Sequence, residues 1–282
     1  MKDGTVAVIG AGLMGGEIAL MQAHAGMHVM LVDVNQAKLD AALARLRLLM
    51  DKGVPRGFFT AESVTPTLAR IVTHTTYDAV ADAEYVTEAV FESTDVKRSV
   101  LESLSQACAR DCVIASNTST IPISTLASFL PAARRPLFIG THFFSPVSRM
   151  KLVEVIRAFD TSDSCFDRAW KVCTVMGKTP VRVKDVAGFA VNRMLHAFII
   201  EAIRLVEEEV MSPEDIDTAC RLALGHPMGP FELMDAVTSS LSLQAQEIMQ
   251  EAYGERFRPR PLLKQRVRAG LVGGRGQPGW RR

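Results

Sequence analysis

The chain lacks an excess of charge of either sign. It has 32 Lys and Arg residues against 31 Asp and Glu residues, which gives a formal net charge of +1 at pH 7. Binding to a nucleic acid or to an anionic membrane surface draws on an excess of positive charge, so the composition supports neither partner. Apolar runs are short, and none reaches the roughly 20 residues of a membrane-spanning helix. The sequence therefore predicts no nucleic-acid partner and no membrane partner.

Cysteine is scarce, and its spacing matches neither a disulfide framework nor a zinc site. The number of cysteines is odd and no C-x-x-C occurs, because the five lie at Cys108, Cys112, Cys165, Cys173 and Cys220. Buried thiols of a reducing compartment fit this pattern best. The first predicted strand starts at about residue 5, which leaves no room for a signal or transit peptide. We therefore predict a cytoplasmic protein without a metal.

The pattern of elements predicts two domains. The chain has 282 residues, of which 48% are hydrophobic and 22% are charged, as in a globular protein with a large core. Short strand-like runs alternate with helices as far as Asp185, which predicts an α/β fold with a Rossmann-type, doubly wound, mostly parallel sheet. Helical patterns dominate from Val191 onward. We predict a dinucleotide-binding domain over residues 1–186 and an all-helical C-terminal domain over residues 187–282.

A glycine-rich turn directly follows the first predicted strand. Its sequence, Gly10-Ala11-Gly12-Leu13-Met14-Gly15, has the G-x-G-x-x-G spacing. The first glycine allows a tight turn, the second lets the backbone approach a pyrophosphate, and the third lets the next helix pack closely on the strand. The helix then directs its free N–H groups at the phosphates. The three glycines, Leu13 and Met14 are the predicted cofactor contacts in this turn.

An acidic residue ends the second predicted strand. Asp33 follows the run His28-Val29-Met30-Leu31-Val32, about 20 residues beyond the glycine turn. A carboxylate at this position accepts hydrogen bonds from both ribose hydroxyls of an adenosine and repels a 2′-phosphate. The sequence therefore predicts NAD as the cofactor in preference to NADP.

Three polar stretches follow later predicted strands, at the sheet edge where open α/β folds bind ligands. They are Ser116-Asn117-Thr118-Ser119-Thr120, then His142-Phe143-Phe144-Ser145-Pro146 with Glu154 beyond it, and Gly188-Phe189-Ala190-Val191-Asn192. The strand before the second stretch is predicted to end just before His142. Taken singly, the three stretches are a serine-rich turn, a core histidine and a helix cap. We expect the tail from Arg256 to be disordered or to reach back to the first domain.

Together with the glycine turn, these stretches resemble the L-3-hydroxyacyl-CoA dehydrogenase family, and its short bacterial 3-hydroxybutyryl-CoA members above all. The resemblance extends over essentially the whole chain, through Glu214-Asp215-Ile216-Asp217 and the segment from Gly225 to Glu232. It implies NAD-dependent oxidation of a 3-hydroxyacyl-CoA and the reverse reaction. It also implies a homodimer formed through the helical domain, whose apolar stripe includes Met194, Leu195, Phe198 and Ile199.

The resemblance assigns roles to individual residues. His142 is the implied general base for the 3-hydroxyl proton, and Glu154 orients and stabilises its imidazole. Ser119 and Asn192 are implied to hydrogen-bond the reacting oxygen, with Ser119 also near the nicotinamide. Further implied cofactor contacts are Glu92, Lys97, Asn117 and Arg275. For the CoA moiety, Arg45 and Lys52 on the second helix are the candidates.

Departures from the family pattern leave different substrates and functions open. Ser145 replaces a usual asparagine, Ser148-Arg149 replaces an apolar pair, and Thr238-Ser239-Ser240 replaces Gly-Leu-Asp. The chain ends in Trp280-Arg281-Arg282, where an aromatic pair is typical. Arg149 leaves open a substrate with a distal carboxylate, such as a 3-hydroxyadipyl-CoA-like thioester. A dehydrogenase of free hydroxy or sugar acids and a non-catalytic NAD-binding protein also stay open.

Overall fold

A computed structural model describes residues 4–274 and 276–281, and the chain divides into two units, Met1–Asp185 and Val186–Arg282. The described part of the first unit contains eight strands in a single sheet. They are β1 (Thr5–Ile9), β2 (His28–Val32), β3 (Ile71–His74), β4 (Tyr85–Glu88), β5 (Val113–Ser116), β6 (Phe138–Phe143), β7 (Leu152–Arg157) and β8 (Thr179–Val183). The order across the sheet is β3-β2-β1-β4-β5-β6-β7-β8.

The helices of the first unit connect these strands and cover the sheet. They are α1 (Leu13–His24), α2 (Gln36–Gly53), α3 (Ala61–Ala69), α4 (Thr94–Ala107), α5 (Ile123–Ala127) and α6 (Asp163–Val175). The side chain of Asn35 caps α2 by accepting the Ala37 N–H at 2.8 Å, and that of Ser162 caps α6 by accepting the Cys165 N–H at 3.2 Å. The Rossmann-type α/β fold predicted from the sequence is confirmed.

One strand pair of the sheet is antiparallel, while every other neighbouring pair is parallel. Only residues 144–151 connect β6 to β7. A parallel pair needs a crossover of a dozen residues or more, so this short connection requires an antiparallel turn. The predicted end of β6 before His142 was wrong: the strand continues through Phe143, because His142 pairs with Glu154 in the β6–β7 ladder.

All regular elements in the described part of the second unit are helices. It contains α7 (Val191–Glu207), α8 (Pro213–Ala223), α9 (Pro230–Val237), α10 (Ser239–Tyr253) and α11 (Pro261–Arg268). The side chain of Ser212 accepts the Asp215 N–H at 3.1 Å, and Pro213 occupies the first turn of α8, which confirms the predicted helix start. The core of this unit includes Ile199, Ile203, Phe231, Met234 and Trp280.

The end of the chain packs within its own helical unit. The ring of Trp280 lies 4.9 Å from that of Phe231, and its indole N–H donates to Ser239 Oγ at 2.8 Å. Asp235 accepts the Trp280 N–H at 2.7 Å and the Arg281 N–H at 3.1 Å. Of the two alternatives left open for the tail, disorder was therefore wrong for its described part. Two departures from the family pattern, Ser239 and Trp280, prove to be hydrogen-bond partners.

All five cysteines are free and buried. Within residues 4–274 and 276–281, no three or more His, Cys, Asp or Glu side chains form a group able to hold a metal ion. None of the described helices combines the length and the apolar character that a membrane crossing requires.

A buried histidine in the second unit predicts that the stability of the protein depends on pH. Burial in α7 lowers the pKa of His196 from 6.5 to about 4. Between these values the unfolded chain binds the proton and the folded chain does not, so the free energy of unfolding falls as pH falls through this window. The shift corresponds to roughly 3 kcal/mol.

We therefore expect urea unfolding to show a loss of stability from pH 6.5 towards pH 4 that is smaller in His196→Leu than in the wild type. His28→Leu, at an exposed position of β2, serves as the matched control for the removal of an imidazole. An unchanged pH dependence in His196→Leu would contradict the assignment.

Candidate active site

The glycine turn has the shape that a bound pyrophosphate requires. Gly10 has a φ of +100°, and a Cβ there would lie 2.7 Å from the carbonyl oxygen of Ala89. A Cβ at Gly15 would overlap the carbonyl oxygen of Gly10. At Gly12, by contrast, a Cβ would meet no atom within 4 Å. The first and third glycines are thus needed for packing, while the second leaves open space beside the backbone at the start of α1.

A cleft of about 660 Å³ opens above this turn. Its walls include the glycine turn, the end of β2 and the segment after β4, with Leu13, Met14, Asp33, Lys38, Tyr77 and Phe91 among the lining residues. Asp33 Oδ2 accepts the Ala11 N–H at 2.9 Å, which fixes the carboxylate beside the turn. The cleft, the open cradle at Gly12 and this carboxylate fit a dinucleotide.

Arg45 contacts the same turn from α2. Its Nη2 donates to the carbonyl oxygens of Ala11 at 3.1 Å and Gly12 at 2.9 Å. The arginine therefore stabilises the backbone of the phosphate-binding turn, a role that the sequence analysis missed. Binding of CoA by Arg45, and by the exposed Lys52 near the end of α2, stays a prediction.

We expect Asp33→Ala to raise the KM for NAD by about 10- to 100-fold, because charge-assisted hydrogen bonds are each worth roughly 1.5–3 kcal/mol. The KM for the second substrate, which the resemblance implies to be an acyl-CoA, should change by less than about twofold. Asp40→Ala, at an exposed position on α2, is the matched control. Steady-state kinetics with both nucleotides measure the effect, and a wild-type preference for NADPH would contradict this role of Asp33.

The imidazole of His142 lies between a carboxylate and a hydroxyl. Its Nδ1 is 2.8 Å from Glu154 Oε2, and its Nε2 is 3.0 Å from Ser119 Oγ. His142 and Glu154 are directly opposed across the β6–β7 ladder, and both side chains are buried. A carboxylate only accepts hydrogen bonds, so Nδ1 carries the hydrogen and Nε2 of the neutral ring presents a lone pair. This orientation suits a general base.

Ser119 reaches this position from a turn that begins where β5 ends. The Asn117 N–H donates to the carbonyl oxygen of Glu88 at 2.8 Å, and Asn117 Oδ1 accepts the Phe143 N–H at 2.9 Å. Asn117 therefore ties the end of β5 to both neighbouring strands. A contact between Asn117 and the cofactor stays a prediction.

Glu92 holds the rest of the turn. Its Oε1 accepts hydrogen bonds from the backbone N–H groups of Ser119 at 2.8 Å and Thr120 at 2.9 Å, and from the hydroxyl of Thr118 at 2.6 Å. Burial raises the pKa of this carboxyl, but Lys97 and these hydrogen bonds outweigh burial and lower the pKa below its usual value. Lys97 itself is buried and pairs with Glu88 at 2.7 Å. Cofactor contacts by Glu92 and Lys97 stay predictions.

The loop between β6 and β7 is held by two buried charged side chains that the sequence analysis did not single out. Glu17 on α1 accepts the backbone N–H of Ser148 at 3.1 Å, and Lys178 donates to the carbonyl oxygens of Val147 and Met150. The exposed Arg149 guanidinium lies 5.0 Å from the centre of the Phe58 ring. A preference for a distal carboxylate through Arg149 stays a prediction.

Asn192 lies in the first turn of α7, in the second unit. Two left-handed residues lead into the helix, Gly188 with a φ of +68° and Phe189 with a φ of +47°. The Tyr253 hydroxyl donates to the carbonyl oxygen of Ala187 at 2.9 Å and so ties this entry to α10. Asn192 as a partner of the reacting oxygen stays a prediction. Arg275, the last predicted cofactor contact, lies outside the described residues.

Each of the two units matches a known protein-family model. The model of the 3-hydroxyacyl-CoA dehydrogenase NAD-binding domain matches residues 5–186, and the model of the 3-hydroxyacyl-CoA dehydrogenase C-terminal domain matches residues 188–282. The chain belongs to the 3-hydroxyacyl-CoA dehydrogenase family. NAD is the cofactor of the domain that carries the glycine turn, the cleft and Asp33.

Named relatives of this dehydrogenase match it along its whole length. A probable 3-hydroxybutyryl-CoA dehydrogenase of Bacillus subtilis is 38% identical over 280 residues, covering 98% of this chain and 97% of the relative. The 3-hydroxybutyryl-CoA dehydrogenase of Bradyrhizobium diazoefficiens is 37% identical over 276 residues, covering 98% and 94%. The solved structure of (S)-3-hydroxybutyryl-CoA dehydrogenase PaaH1 from Ralstonia eutropha superposes with a TM-score of 0.92 at 35% identity, covering 98% and 97%.

Proposed function

We propose that this dehydrogenase oxidises a short L-3-hydroxyacyl-CoA, such as 3-hydroxybutyryl-CoA, to the 3-ketoacyl-CoA and catalyses the reverse reduction. The observation that carries the proposal is the run of contacts from Glu154 through His142 to Ser119 in the unit that binds NAD. Oxidation of a secondary alcohol needs a proton acceptor, a donor to the reacting oxygen and a hydride acceptor. The first two are present as side chains, and NAD supplies the third when bound.

The side chains divide the proton chemistry between them. His142 Nε2 takes the proton of the 3-hydroxyl in oxidation, and the protonated imidazole returns it to the ketone oxygen in reduction. Glu154 keeps the hydrogen on Nδ1 and stabilises the positive ring by its charge. Ser119 Oγ, and in this proposal Asn192, donate hydrogen bonds to the oxygen as negative charge develops on it. The proton therefore moves between the substrate oxygen and a single, oriented nitrogen of the protein.

A single assay separates this function from a free-acid dehydrogenase and from a non-catalytic protein. We expect NADH oxidation with acetoacetyl-CoA and little or none with free acetoacetate, since the thioester carries the CoA moiety. Turnover of the free acid alone would indicate a hydroxy-acid dehydrogenase. NADH binding without turnover of either compound would indicate a non-catalytic NAD-binding protein. Both outcomes contradict the proposal.

We also propose that the protein forms a homodimer through its helical unit and is located in the cytoplasm. Support for the dimer comes from large apolar side chains of this unit that are exposed: Met194, Leu222, Leu224, Val237 and Leu241. Leu222 is the most exposed of these five, at 83%. Ile199, which was expected in the interface stripe, lies instead in the core of its unit.

Substitution of one exposed leucine tests the dimer. We expect sedimentation of the wild type at micromolar concentration to give a dimer, and Leu222→Asp to shift the equilibrium towards the monomer by burying a charge at the interface. Leu48→Asp, at a 52% exposed position on α2 of the other unit, is the matched control and should remain dimeric. A monomeric wild type would contradict the proposal.

A further inference from the structure

Three charged side chains form a connected group below the Ser119 turn. Lys97 Nζ lies 2.7 Å from Glu88 Oε1 and 3.3 Å from Glu92 Oε2. Glu88 and Lys97 are 0% and 1% exposed, whereas the side chain of Glu92 is 32% exposed. Buried charges are costly unless they are paired and hydrogen-bonded, so the buried Glu88–Lys97 pair needs a structural or functional reason.

Glu88 connects this group to the neighbouring strand. Its Oε2 accepts the hydroxyl of Ser116 at 2.6 Å, and its Oε1 also accepts the Val90 N–H at 2.8 Å. The Ser116 hydroxyl oxygen in turn accepts the Thr118 N–H at 3.3 Å. One end of the charged group is therefore fixed to the last residue of β5, directly before the turn that carries Ser119.

Glu92 connects the group to the turn itself. A single oxygen, Oε1, accepts hydrogen bonds from Thr118, Ser119 and Thr120, two of them from backbone N–H groups. Hydrogen bonds to an ionised acceptor are about twice as strong as neutral ones. Lys97 favours the ionised carboxylate, so its charge strengthens every bond that fixes the Ser119 backbone. The Ser119 hydroxyl, 3.0 Å from His142 Nε2, is thereby held at the end of this chain of contacts.

We propose that Glu88, Lys97 and Glu92 are positioning residues that act on the reaction through Ser119. The proposal rests on the function of Ser119 proposed above. It assigns no contact with the reacting atoms to the three residues. Lys97 keeps Glu92 charged, Glu92 fixes the backbone of Ser119, and Glu88 retains Lys97 in place. Without them Ser119 Oγ leaves its position beside His142 Nε2, where the reacting oxygen is proposed to bind, and a small misplacement of a catalytic group costs rate and not binding.

A double-mutant cycle tests whether the group acts through Ser119. The resemblance implies that Glu92 contacts the cofactor, and loss of such a contact would mainly raise the KM for NAD. We instead expect Glu92→Gln to lower kcat about tenfold, with the KM for NAD changed by less than about twofold. In a Ser119→Ala background, Glu92→Gln should lower kcat further by less than about twofold, because residues that act as one unit are not additive. Glu102→Gln, exposed on α4, is the matched control with unchanged kcat.

A second double-mutant cycle, of Lys97→Met with Ser119→Ala, tests the role of the lysine. Lys97→Met should show the same loss of kcat and the same dependence on Ser119, with the exposed Lys171→Met as control. Melting temperatures show whether each variant is folded at the assay temperature. If Lys97→Met does not fold, Glu92→Gln decides the test, because the Glu92 side chain is partly exposed.

The outcomes distinguish this inference from the proposed function. A full tenfold loss from Glu92→Gln in the Ser119→Ala background would overturn the inference alone, as would an effect confined to the KM for NAD, which would indicate direct cofactor contact. An unchanged kcat in Ser119→Ala by itself would overturn the role of Ser119 and the inference with it. A wild type without activity on acetoacetyl-CoA would overturn the proposed function first.

Discussion

Replacement of His142 by alanine is expected to lower kcat in both directions by on the order of 10²–10⁴, the range for loss of a general acid–base group. The imidazole is the group whose lone pair faces the Ser119 hydroxyl, and water at a buried position is a poor substitute for a fixed base. The affinity for NAD should stay within about twofold, because the glycine turn and Asp33 follow two other strands, β1 and β2. Single-turnover kinetics and NADH titration measure the two quantities separately.

Two controls test whether the effect of His142→Ala is specific to this site and is not caused by unfolding. His28→Ala removes an exposed imidazole at the start of β2 and should leave both kcat and NAD affinity unchanged. Because His142 is buried, the melting temperature of His142→Ala is needed to exclude unfolding as the cause. A folded variant that retained more than about a tenth of the wild-type kcat would rule out the imidazole as general base.

Glu154→Gln is expected to lower kcat by on the order of 10²-fold while the KM values change little. Glutamine has nearly the shape of glutamate, so the β6–β7 ladder can stay intact. Its amide can accept from or donate to Nδ1, however, so it no longer selects the tautomer in which Nε2 is the base. It also gives no charge stabilisation to the protonated ring. The direction of the change should be the same in oxidation and reduction.

Steady-state kinetics in both directions, with the melting temperature recorded alongside, measure the Glu154 effect. Glu62→Gln, exposed at the start of α3, is the matched control. Glu154 is 0% exposed, so some loss of stability is expected with the loss of kcat. A stable Glu154→Gln variant with wild-type kcat would reduce Glu154 to a structural carboxylate and require a different mechanism.

Sequence reasoning located the site residues whose positions follow from motif spacing or from a short connection between strands. The glycine turn and Asp33 follow from spacing within a strand–turn–helix–strand unit, and the structure places both in one cleft. His142 and Glu154 are separated by twelve positions, with Pro146 between them, and a short antiparallel connection brings such residues together. In each of these cases the partners are near in sequence or joined by a standard connection.

Some contacts were beyond sequence reasoning because their partners are distant and chemically ordinary. Glu88 reads as the last residue of a strand, and nothing in the sequence shows that Lys97 and Ser116 converge on it. Arg45 reads as one of several cations on α2, and only the fold brings it to the glycine turn. Ser239 and Trp280 were each noted as departures, but 41 positions separate them and no periodicity connects them.

The activity of the enzyme depends on the register in which β6 and β7 pair. Side chains alternate between the two faces of a strand, so a slip of one residue in this ladder would turn Glu154 to the opposite face from His142. Such a molecule would retain its secondary structure and its nucleotide cleft, yet it would lack the oriented base. After refolding, molecules with a shifted register would therefore contribute to the secondary structure measured by circular dichroism but not to the specific activity.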